Sequence, residues 1–298
     1  MSKFFSKPYL WAAIFSVLLI GMFTFALLDA FVLQKSMIVV ASDSDTVAQE
    51  VASTSTDPVI TENSYSDENI QITIETVQKY DSTIYVADIQ VSDPAYLKTA
   101  FANSTYGRNI KATTSETAAA QNAIFAINGD YYGFRDTGYV VRNGVVYRDT
   151  AGDGEALVID NNGDFSIVKE SQVSLASVSS NAWQVLSFGP GLVENGQIAV
   201  DSSSEVGQSM ESNPRTAIGQ ISELHYVVIV SDGRTTESEG LSLLELAQEF
   251  QERGCTTAYN LDGGGSSTMV FNGAIVNNPT DGKSSGEREV SDIVYFGY

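Results

Sequence analysis

Cysteine and histidine are almost absent from this chain of 298 residues. Cys255 is the single cysteine and His225 the single histidine, so an intrachain disulfide and a zinc site built from Cys and His are both excluded. Cys255 lies in an apolar context and is predicted to be a small core residue. His225 opens a strand-like run and is expected to be structural or incidental. A catalytic acid or base is therefore expected to be a carboxylate.

Positive charge is also scarce. The chain has 16 Lys and Arg against 37 Asp and Glu, a formal net charge of −21 and a pI near 4.2. Nucleic acids attract basic surfaces, so this balance argues against a nucleic-acid partner. It suits a secreted or surface-displayed protein.

Several familiar motifs are missing. There is no Walker A run, no GxGxxG and no GxSxG. A Ser/His triad is a poor fit, because His225 is far from Ser266 in sequence. Asp281-Gly282-Lys283 is too short and too poor in acids for an EF-hand loop. No motif in the sequence requires a cofactor. Oxygen ligands are plentiful, so a divalent cation, calcium or magnesium, is compatible with the sequence, but no residues are assigned to it.

Charge is absent from Pro8 to Leu28, positions 8 to 28, which is 21 residues. As a helix this stretch spans about 30 Å, the thickness of a bilayer's hydrocarbon core. Lys3 and Lys7 precede it, so residues 1–7 are expected in the cytoplasm and the C-terminal part outside a single-pass cell membrane. A cleaved signal peptide is the alternative, but its apolar region is normally shorter and no small-x-small site directly follows Leu28. We favour an uncleaved transmembrane anchor at residues 8–28.

Residues 29–68 are predicted to be an acidic stalk rich in Ser and Thr. Seven acids and no Lys or Arg lie between residues 41 and 68. Such a segment has too little apolar surface to fold and is expected to be flexible.

Residues 69–298 are expected to form one compact α+β domain, with a mixed β-sheet and flanking helices. Ile70 to Val77 alternates as a half-buried strand does, and Tyr226 to Val230 is the strongest strand. Capping boxes at Thr113–Glu116 and Ser242–Glu245 begin two predicted helices. Asp93-Pro94 is predicted to open a short helix that reaches Phe101.

One pattern occurs at the ends of two predicted strands. Ala126-Ile-Asn-Gly-Asp130 and Ala258-Tyr-Asn-Leu-Asp262 both read Ala-apolar-Asn-x-Asp, 132 residues apart. If the two strands lie side by side, Asp130 and Asp262 share one rim. Paired carboxylates cleave glycosidic bonds. The alternative is that both are turn aspartates.

The second copy runs into Gly263-Gly264-Gly265 and then Ser266-Ser267-Thr268. Such a stretch is either a surface turn or a loop whose backbone N–H groups hold an anion. Arg215 and Arg234 lie at strand ends beside Pro214 and Gly233. A guanidinium suits phosphate or carboxylate, although an ion pair with a surface acid explains either arginine taken alone.

Together these stretches resemble the phosphodiester glycosidase domain family over roughly residues 90 to 298. Seven blocks occur in the family's order: Ala126-Ile-Asn-Gly-Asp-Tyr-Tyr-Gly133, Phe188-Gly-Pro-Gly191, Pro214-Arg-Thr-Ala217, Val230-Ser-Asp-Gly-Arg234, Gly240-Leu-Ser-Leu-Leu-Glu-Leu-Ala247, Asn260-Leu-Asp-Gly-Gly-Gly-Ser-Ser-Thr268 and Gly286-Glu-Arg-Glu-Val290.

The resemblance implies hydrolysis of a sugar-1-phosphodiester in envelope or exopolysaccharide glycans, which releases the sugar and leaves a phosphomonoester. It implies that Asp130 and Asp262 are catalytic and that Arg215 binds the phosphate. The remaining implied substrate-binding residues are Asn128, Thr216, Asp232, Arg234, Asn260, Gly263, Gly264, Gly265, Ser266, Ser267, Glu287 and Arg288. Arg288 is expected to be a second phosphate ligand or the partner of an active-site acid. The family often has Asn where this chain has Asp292, a position expected to be peripheral.

A second interpretation is a non-catalytic glycan-binding or envelope-assembly protein on the same fold, because a fold does not fix an activity. In either case the expected partners are a glycan or sugar phosphate and the membrane that holds residues 8–28.

Overall fold

The computed structural model describes residues 10–37, 57–204, 212–282 and 284–298. The helices in these ranges are α1 (Leu10–Phe31), α2 (Thr114–Ala120), α3 (Leu175–Val178) and α4 (Leu243–Glu252). The strands are β1 (Lys35–Ser36), β2 (Val59–Ile60), β3 (Ser64–Ser66), β4 (Ile70–Lys79), β5 (Ser82–Val91), β6 (Leu97–Phe101), β7 (Gly107–Arg108), β8 (Phe125–Asn128), β9 (Val140–Arg142), β10 (Val145–Arg148), β11 (Glu155–Asp160), β12 (Phe165–Lys169), β13 (Ala182–Leu186), β14 (Gly191–Glu194), β15 (Gln197–Ile198), β16 (Arg215–Ser222), β17 (His225–Ser231), β18 (Thr257–Asn260), β19 (Met269–Phe271), β20 (Ala274–Ile275), β21 (Thr280–Asp281), β22 (Ser284–Ser285) and β23 (Asp292–Phe296).

The fold is mostly β. A nine-stranded sheet, here the large sheet, has the order β15-β14-β18-β16-β17-β5-β4-β3-β2. Two five-stranded sheets accompany it, the first small sheet with the order β10-β9-β13-β11-β12 and the second with the order β20-β19-β8-β23-β6. The prediction of a mixed sheet is wrong, because all strand pairs among the described residues are antiparallel. Short local hairpins supply most neighbours, which favours antiparallel pairing.

The large sheet is covered on both faces. One face packs against the two small sheets in a core that includes Ile72, Ile127, Leu157 and Val228. The opposite face packs against α4 in a second core, to which the helix contributes four residues: Leu243, Leu246, Ala247 and Phe250. This double covering explains why β17 is a continuous apolar run, since alternate residues face alternate cores.

The capping boxes predicted for α2 and α4 are confirmed. The side chains of Thr113 and Ser242 accept hydrogen bonds from the backbone N–H groups of Glu116 and Glu245. Helix α2 covers the outer face of the second small sheet through Ala118. The strand after each helix runs directly into the stretch that carries Asp130 or Asp262.

The predicted helix from Asp93 to Phe101 is wrong. The side chain of Asp93 does cap a turn, but this turn is a single 3-10 turn over Pro94–Tyr96. Residues 97 to 101 form β6, which pairs with β23 along its whole length. This pairing overrides the weak helical spacing of three apolar residues.

The structure agrees with the predictions for Cys255, as a core residue, and for His225, as a structural or incidental one. Cys255 is buried in the core under α4, and burial raises its pKa to about 12. His225 lies at the start of β17, where its Nε2 is 3.0 Å from Asp88 on the neighbouring strand.

The N-terminal part contains the apolar helix α1, whose residues are unburied and which is long and apolar enough to cross a membrane. Strand β1 follows it and pairs with β7. Strands β2 and β3 extend the large sheet, so the sheet begins at Val59, before the predicted domain start at residue 69. The predicted stalk lies outside the described residues from 38 to 56.

Candidate active site

The two Asn-x-Asp stretches meet, although their strands do not pair. The prediction that these strands lie side by side is wrong, since β8 belongs to the second small sheet and β18 to the large sheet. Their ends are joined by Asn128, whose Nδ2 donates to the backbone oxygen of Asp262 at 2.6 Å. The backbone N–H of Asp262 in turn donates to Gly129 O at 3.3 Å. These hydrogen bonds bring Asp130 and Asp262 to one cleft.

The cleft has a volume of about 340 Å³. Four of the predicted site residues line it: Asp130, Asp262, Ser266 and Arg288. The other lining residues are Lys111, Tyr131, Phe134, Asp281, Glu289, Val290 and Ser291. A sugar ring with a phosphate fits a volume of this size.

Asp262 is a titratable residue in the lining of this cleft. It is half-buried, and its Oδ1 accepts a hydrogen bond from Gly263 N at 3.0 Å. Burial raises its pKa to about 6, although a hydrogen bond to Ser266 and the charge of Arg288 both oppose the shift. A carboxyl group of this kind exchanges a proton near neutral pH, as a general acid or base must.

Asp130 has a different environment. It is buried, and three donors occupy its carboxylate. Arg142 Nη2 and Ser187 N donate to Oδ2 at 2.8 and 2.9 Å, and Tyr132 N donates to Oδ1 at 2.9 Å. These donors hold the carboxylate in a fixed position.

Arg142 also binds Asp292, so that Asp130, Arg142 and Asp292 form a buried triad. Arg142 Nε donates to Asp292 Oδ2 at 2.9 Å, and Nη2 lies 2.8 Å from the same oxygen. Asp292 Oδ1 has no hydrogen-bond partner among the described residues. Burial, opposed by Arg142, raises the pKa of Asp292 to about 8. The expectation that Asp292 is peripheral is wrong, because it lies beside Asp130.

The glycine loop is packed between two arginines. A Cβ on Gly264, whose φ is +63°, would lie 2.8 Å from Arg234 Nη2. A Cβ on Gly265 would lie 2.7 Å from Arg288 Nη2 and 2.6 Å from Asp281 Oδ1. The glycines therefore let two guanidinium groups approach the backbone next to Asp262.

Arg288 and Arg234 are both anchored in this position. Arg288 donates from Nε and Nη2 to Asp281 Oδ1 at 3.1 and 2.6 Å. Arg234 donates from Nε and Nη2 to Asn213 Oδ1 at 3.3 and 3.1 Å. Only Arg288 of this pair is a lining residue of the cleft.

Other predicted site residues lie behind the cleft and hold its loops. Asn128 Oδ1 accepts from Thr216 Oγ1 at 2.8 Å and from Thr268 N at 3.2 Å. Asn260 Nδ2 donates to Gly189 O at 2.8 Å. Arg215 is buried at the start of β16, and its Nε donates to Leu241 O at 2.8 Å.

Asp232, Glu287, Ser267 and Gly263 also have contacts away from the lining. Asp232, whose pKa is raised by burial, accepts from Asn278 N at 2.8 Å. Glu287 accepts from the backbone N–H of Ser115 at 2.9 Å, at the start of α2. Ser267 is buried. A Cβ on Gly263 would lie 2.9 Å from the carbonyl of Pro214.

Sequence reasoning missed several residues of the site. Tyr131 and Phe134 line the cleft as a stacked pair with centroids 4.7 Å apart, and Arg135 lies over the Tyr131 ring. The sequence could have indicated them, because they follow Asp130 by one and four residues. No sequence pattern around Arg142 points to its role. The role becomes visible only in the fold, where Arg142 binds the carboxylates of Asp130 and Asp292.

No group of three or more His, Cys, Asp or Glu side chains in the described ranges is arranged to hold a metal ion. The divalent cation for which the sequence leaves room stays a prediction.

Comparison with known proteins shows the family. The model of the phosphodiester glycosidase family matches residues 121–297. An uncharacterised SPbeta prophage-derived protein of Bacillus subtilis, YomE, is 30% identical over 205 residues, which are 66% of this chain and 31% of that protein. The N-acetylglucosamine-1-phosphodiester alpha-N-acetylglucosaminidase of mouse is 28% identical over 194 residues, 57% of this chain and 36% of the enzyme. The matches span about a third of the length of these curated relatives.

Solved structures agree with this assignment at the level of the fold. The catalytic domain of the zebrafish N-acetylglucosamine-1-phosphodiester alpha-N-acetylglucosaminidase, auto-inhibited by its pro-peptide, superposes with a TM-score of 0.62 at 22% identity, over 77% of this chain and 83% of that one. A hypothetical protein from Synechocystis gives a TM-score of 0.52 at 15% identity, over 76% of this chain and 62% of its own. This chain belongs to the phosphodiester glycosidase family.

Proposed function

We propose that this protein is a membrane-anchored, extracytoplasmic hydrolase that cleaves sugar-1-phosphodiesters of cell-envelope or exopolysaccharide glycans. The observation that carries the proposal is the half-buried Asp262, whose raised pKa of about 6 places a proton-exchanging carboxyl beside Arg288 in one cleft. The name of the mouse relative, N-acetylglucosamine-1-phosphodiester alpha-N-acetylglucosaminidase, supports the same substrate class.

The chemistry of the bond sets the roles. A phosphate monoester leaves easily once its charge is neutralised. The site therefore needs a cation at the phosphate and a base that activates a water molecule next to the anomeric carbon. In our proposal Asp262 takes a proton from water. The water oxygen bonds to the anomeric carbon, and the bond from that carbon to the phosphate oxygen breaks with its electron pair on phosphate. The proton then passes from Asp262 to solvent.

Arg288 is our proposed phosphate ligand. Its guanidinium lines the cleft and borders Gly265, whereas Arg215 is buried and is not a lining residue. Ser266 lines the same cleft and is placed to donate to a phosphate oxygen. The stacked pair of Tyr131 and Phe134 offers an aromatic face for the sugar ring.

Asp130 has a supporting role in this proposal. Its three donors fix the carboxylate on the cleft wall, where it repels a phosphate placed close to it. It therefore helps to place the phosphate on the side of Arg288.

The anchor is part of the proposal. Helix α1 has 22 residues, carries no charge before Asp29 and is unburied, which is typical of a signal sequence or of a membrane anchor. We propose the anchor because residues that follow the helix pair with β7.

The test is hydrolysis of UDP-N-acetylglucosamine and of p-nitrophenyl-linked sugar phosphodiesters by the full chain in detergent. We expect the wild-type protein and Asp153→Asn, a control outside the cleft lining, to release the sugar, and Asp262→Asn to lose this activity. Saturable glycan binding without turnover across these substrates would instead favour the non-catalytic glycan-binding function. Full activity of Asp262→Asn would show that the assigned base is wrong.

A further inference from the structure

The segment after α1 is built into the domain. Helix α1 ends at Phe31 and β1 begins at Lys35, so at most about 14 Å of chain separates them. Strand β1 pairs with β7 through Lys35 and Ser36, and the next residue, Met37, donates from its backbone N–H to Tyr106 O at 3.1 Å. The helix is therefore joined to the domain by a short, hydrogen-bonded connection.

Two residues of the domain are shaped to receive this segment. Asn109 is buried, and its Nδ2 donates to Ala30 O at 3.3 Å and to Leu33 O at 3.1 Å. Gly107 has no room for a Cβ, which would overlap the carbonyl oxygen of Lys35. The side chain of Met37 packs on the aromatic cluster of Tyr106 and Tyr132.

The residues that follow β7 also border the cleft. Asn109 N donates to Gly133 O at 3.2 Å, directly before the lining residue Phe134. Gly133 lies against Ser291, another lining residue, and a Cβ on Gly133 would lie 3.4 Å from Gly107 O. Lys111, further along the same chain segment, lines the cleft as well. One layer of backbone separates the segment after α1 from the cleft.

The same segment keeps apolar surface at the end of the helix. Val32 and Leu33 expose 61% and 42% of their surface, which suits the boundary between hydrocarbon and head groups. Helix α1 at about 1.5 Å per residue is long enough to span the hydrocarbon core, so with α1 as the proposed anchor β1 would lie close to the outer surface of the bilayer.

We propose that the cleft acts on a sugar-1-phosphodiester whose second alcohol is a lipid held in the outer leaflet. This inference rests on the proposed function and names its substrate class. Hydrolysis with water releases the sugar into solution, and the lipid phosphomonoester stays in the membrane. The short connection from α1 holds the cleft at the height of the lipid head groups.

The test uses the full chain in phosphatidylcholine–phosphatidylglycerol vesicles with two probes, the hexadecyl and the methyl phosphodiester of N-acetylglucosamine. A flexible Gly/Ser spacer of about 20 residues is inserted between Leu33 and Gln34, which separates the domain from α1. The matched control carries the same spacer between Thr46 and Val47, after β1.

We expect the wild-type protein and the control to cleave the hexadecyl ester at least about tenfold faster than the variant with the spacer before β1. The spacer lowers the effective concentration of the cleft at the membrane surface. All three are expected to cleave the methyl ester equally. Equal rates of all three proteins on the hexadecyl ester would overturn the inference.

A second readout does not depend on turnover. Cys255 is buried, so a fluorophore reacts selectively with Asp136→Cys, an exposed position two residues after Phe134. We expect energy transfer to an acceptor on the lipid head groups to be strong in the wild-type background and in the control, and weak with the spacer before β1. Strong transfer without turnover of either ester would overturn the proposed function alone, whereas weak transfer in the wild-type background would overturn the position of the cleft.

Discussion

The ends of β8 and β18 carry the same sequence pattern, yet their carboxyl groups have opposite environments. Asp130, after β8, is buried and bound by Arg142, Ser187 and Tyr132. Asp262, after β18, is half-buried and faces the cleft with a raised pKa. The two strands share a local design, in which an Asn at the strand end holds a neighbouring loop. Arg142 and Ser187 bind Asp130 from other strands and loops, whereas Asp262 lies in the cleft with Arg288.

This difference separates chemistry from support. Three donors bind the Asp130 carboxylate and hold it in place, whereas burial raises the pKa of Asp262 to about 6, so that Asp262 exchanges a proton near neutral pH. We therefore assign the proton transfer to Asp262 and the support of the cleft wall to the triad of Asp130, Arg142 and Asp292.

Replacing Asp262 by Asn is expected to affect activity far more than stability. Loss of a general base lowers kcat/KM by about 10²–10⁴-fold. Since burial raises the pKa of Asp262, its charge opposes folding, and Asn is expected to leave the melting temperature unchanged or higher. Kinetics with UDP-N-acetylglucosamine and a thermal melt check the two effects. A melting temperature far below wild type would assign Asp262 to support of the fold.

Replacing Arg142 by Met is expected to affect stability strongly, so that the variant unfolds more easily than wild type. It leaves Asp130 and Asp292 buried without their cation, which costs about 3–5 kcal/mol of unfolding free energy. Urea denaturation measures this loss. Arg108→Met is the control, because its partner Asp136 is 71% exposed and such pairs contribute less than about 1 kcal/mol. Equal losses for both variants would argue against the triad.

Replacing Asp292 by Asn is expected to change how stability depends on pH. With a folded pKa of about 8, raised from 3.8, the folded wild-type protein retains a proton that the unfolded chain releases. Its unfolding free energy therefore falls as pH rises from about 4 to about 8. The amide introduced by Asp292→Asn does not titrate, so relative to wild type the variant is expected to gain about 1–3 kcal/mol of unfolding free energy between about pH 4 and about pH 8. Urea curves across this range check the prediction, and parallel pH profiles of the two proteins would contradict it.

Replacing Gly265 by Ala is expected to have the smallest effect. The new Cβ requires Arg288 and Asp281 to move, and Arg288 is the flexible member. We expect KM to rise about three- to tenfold with little change in the melting temperature. Gly154→Ala, at an open position without a positive φ, is the control and should match wild type. An unchanged KM for Gly265→Ala would remove Arg288 from the phosphate site.

Local features were predictable from the sequence. Capping boxes, hairpins and the apolar run of β17 depend on residues close together in the chain, and the structure confirms them. The glycine loop and Asp262 were recognised because three glycines beside an acid are costly without a ligand or a close contact.

Features that depend on distant partners were not predictable. β8 and β18 look alike locally but join different sheets, since pairing is decided by β23 and β16. Leu97–Phe101 became a strand because β23 pairs with it. Arg142 and Asp292 are 150 residues apart in the chain, and only the fold brings them into contact. Their role is therefore not visible in the sequence.

The pH dependence of kcat/KM, measured for wild type and Asp292→Asn side by side, tests most directly which carboxyl performs the proton transfer. If Asp262 is the base, both proteins lose activity as pH falls through about 6, with apparent pKa values close to each other. If this limb disappears or moves by more than about one pH unit in Asp292→Asn, the buried triad is the titrating group and the assignment to Asp262 is contradicted.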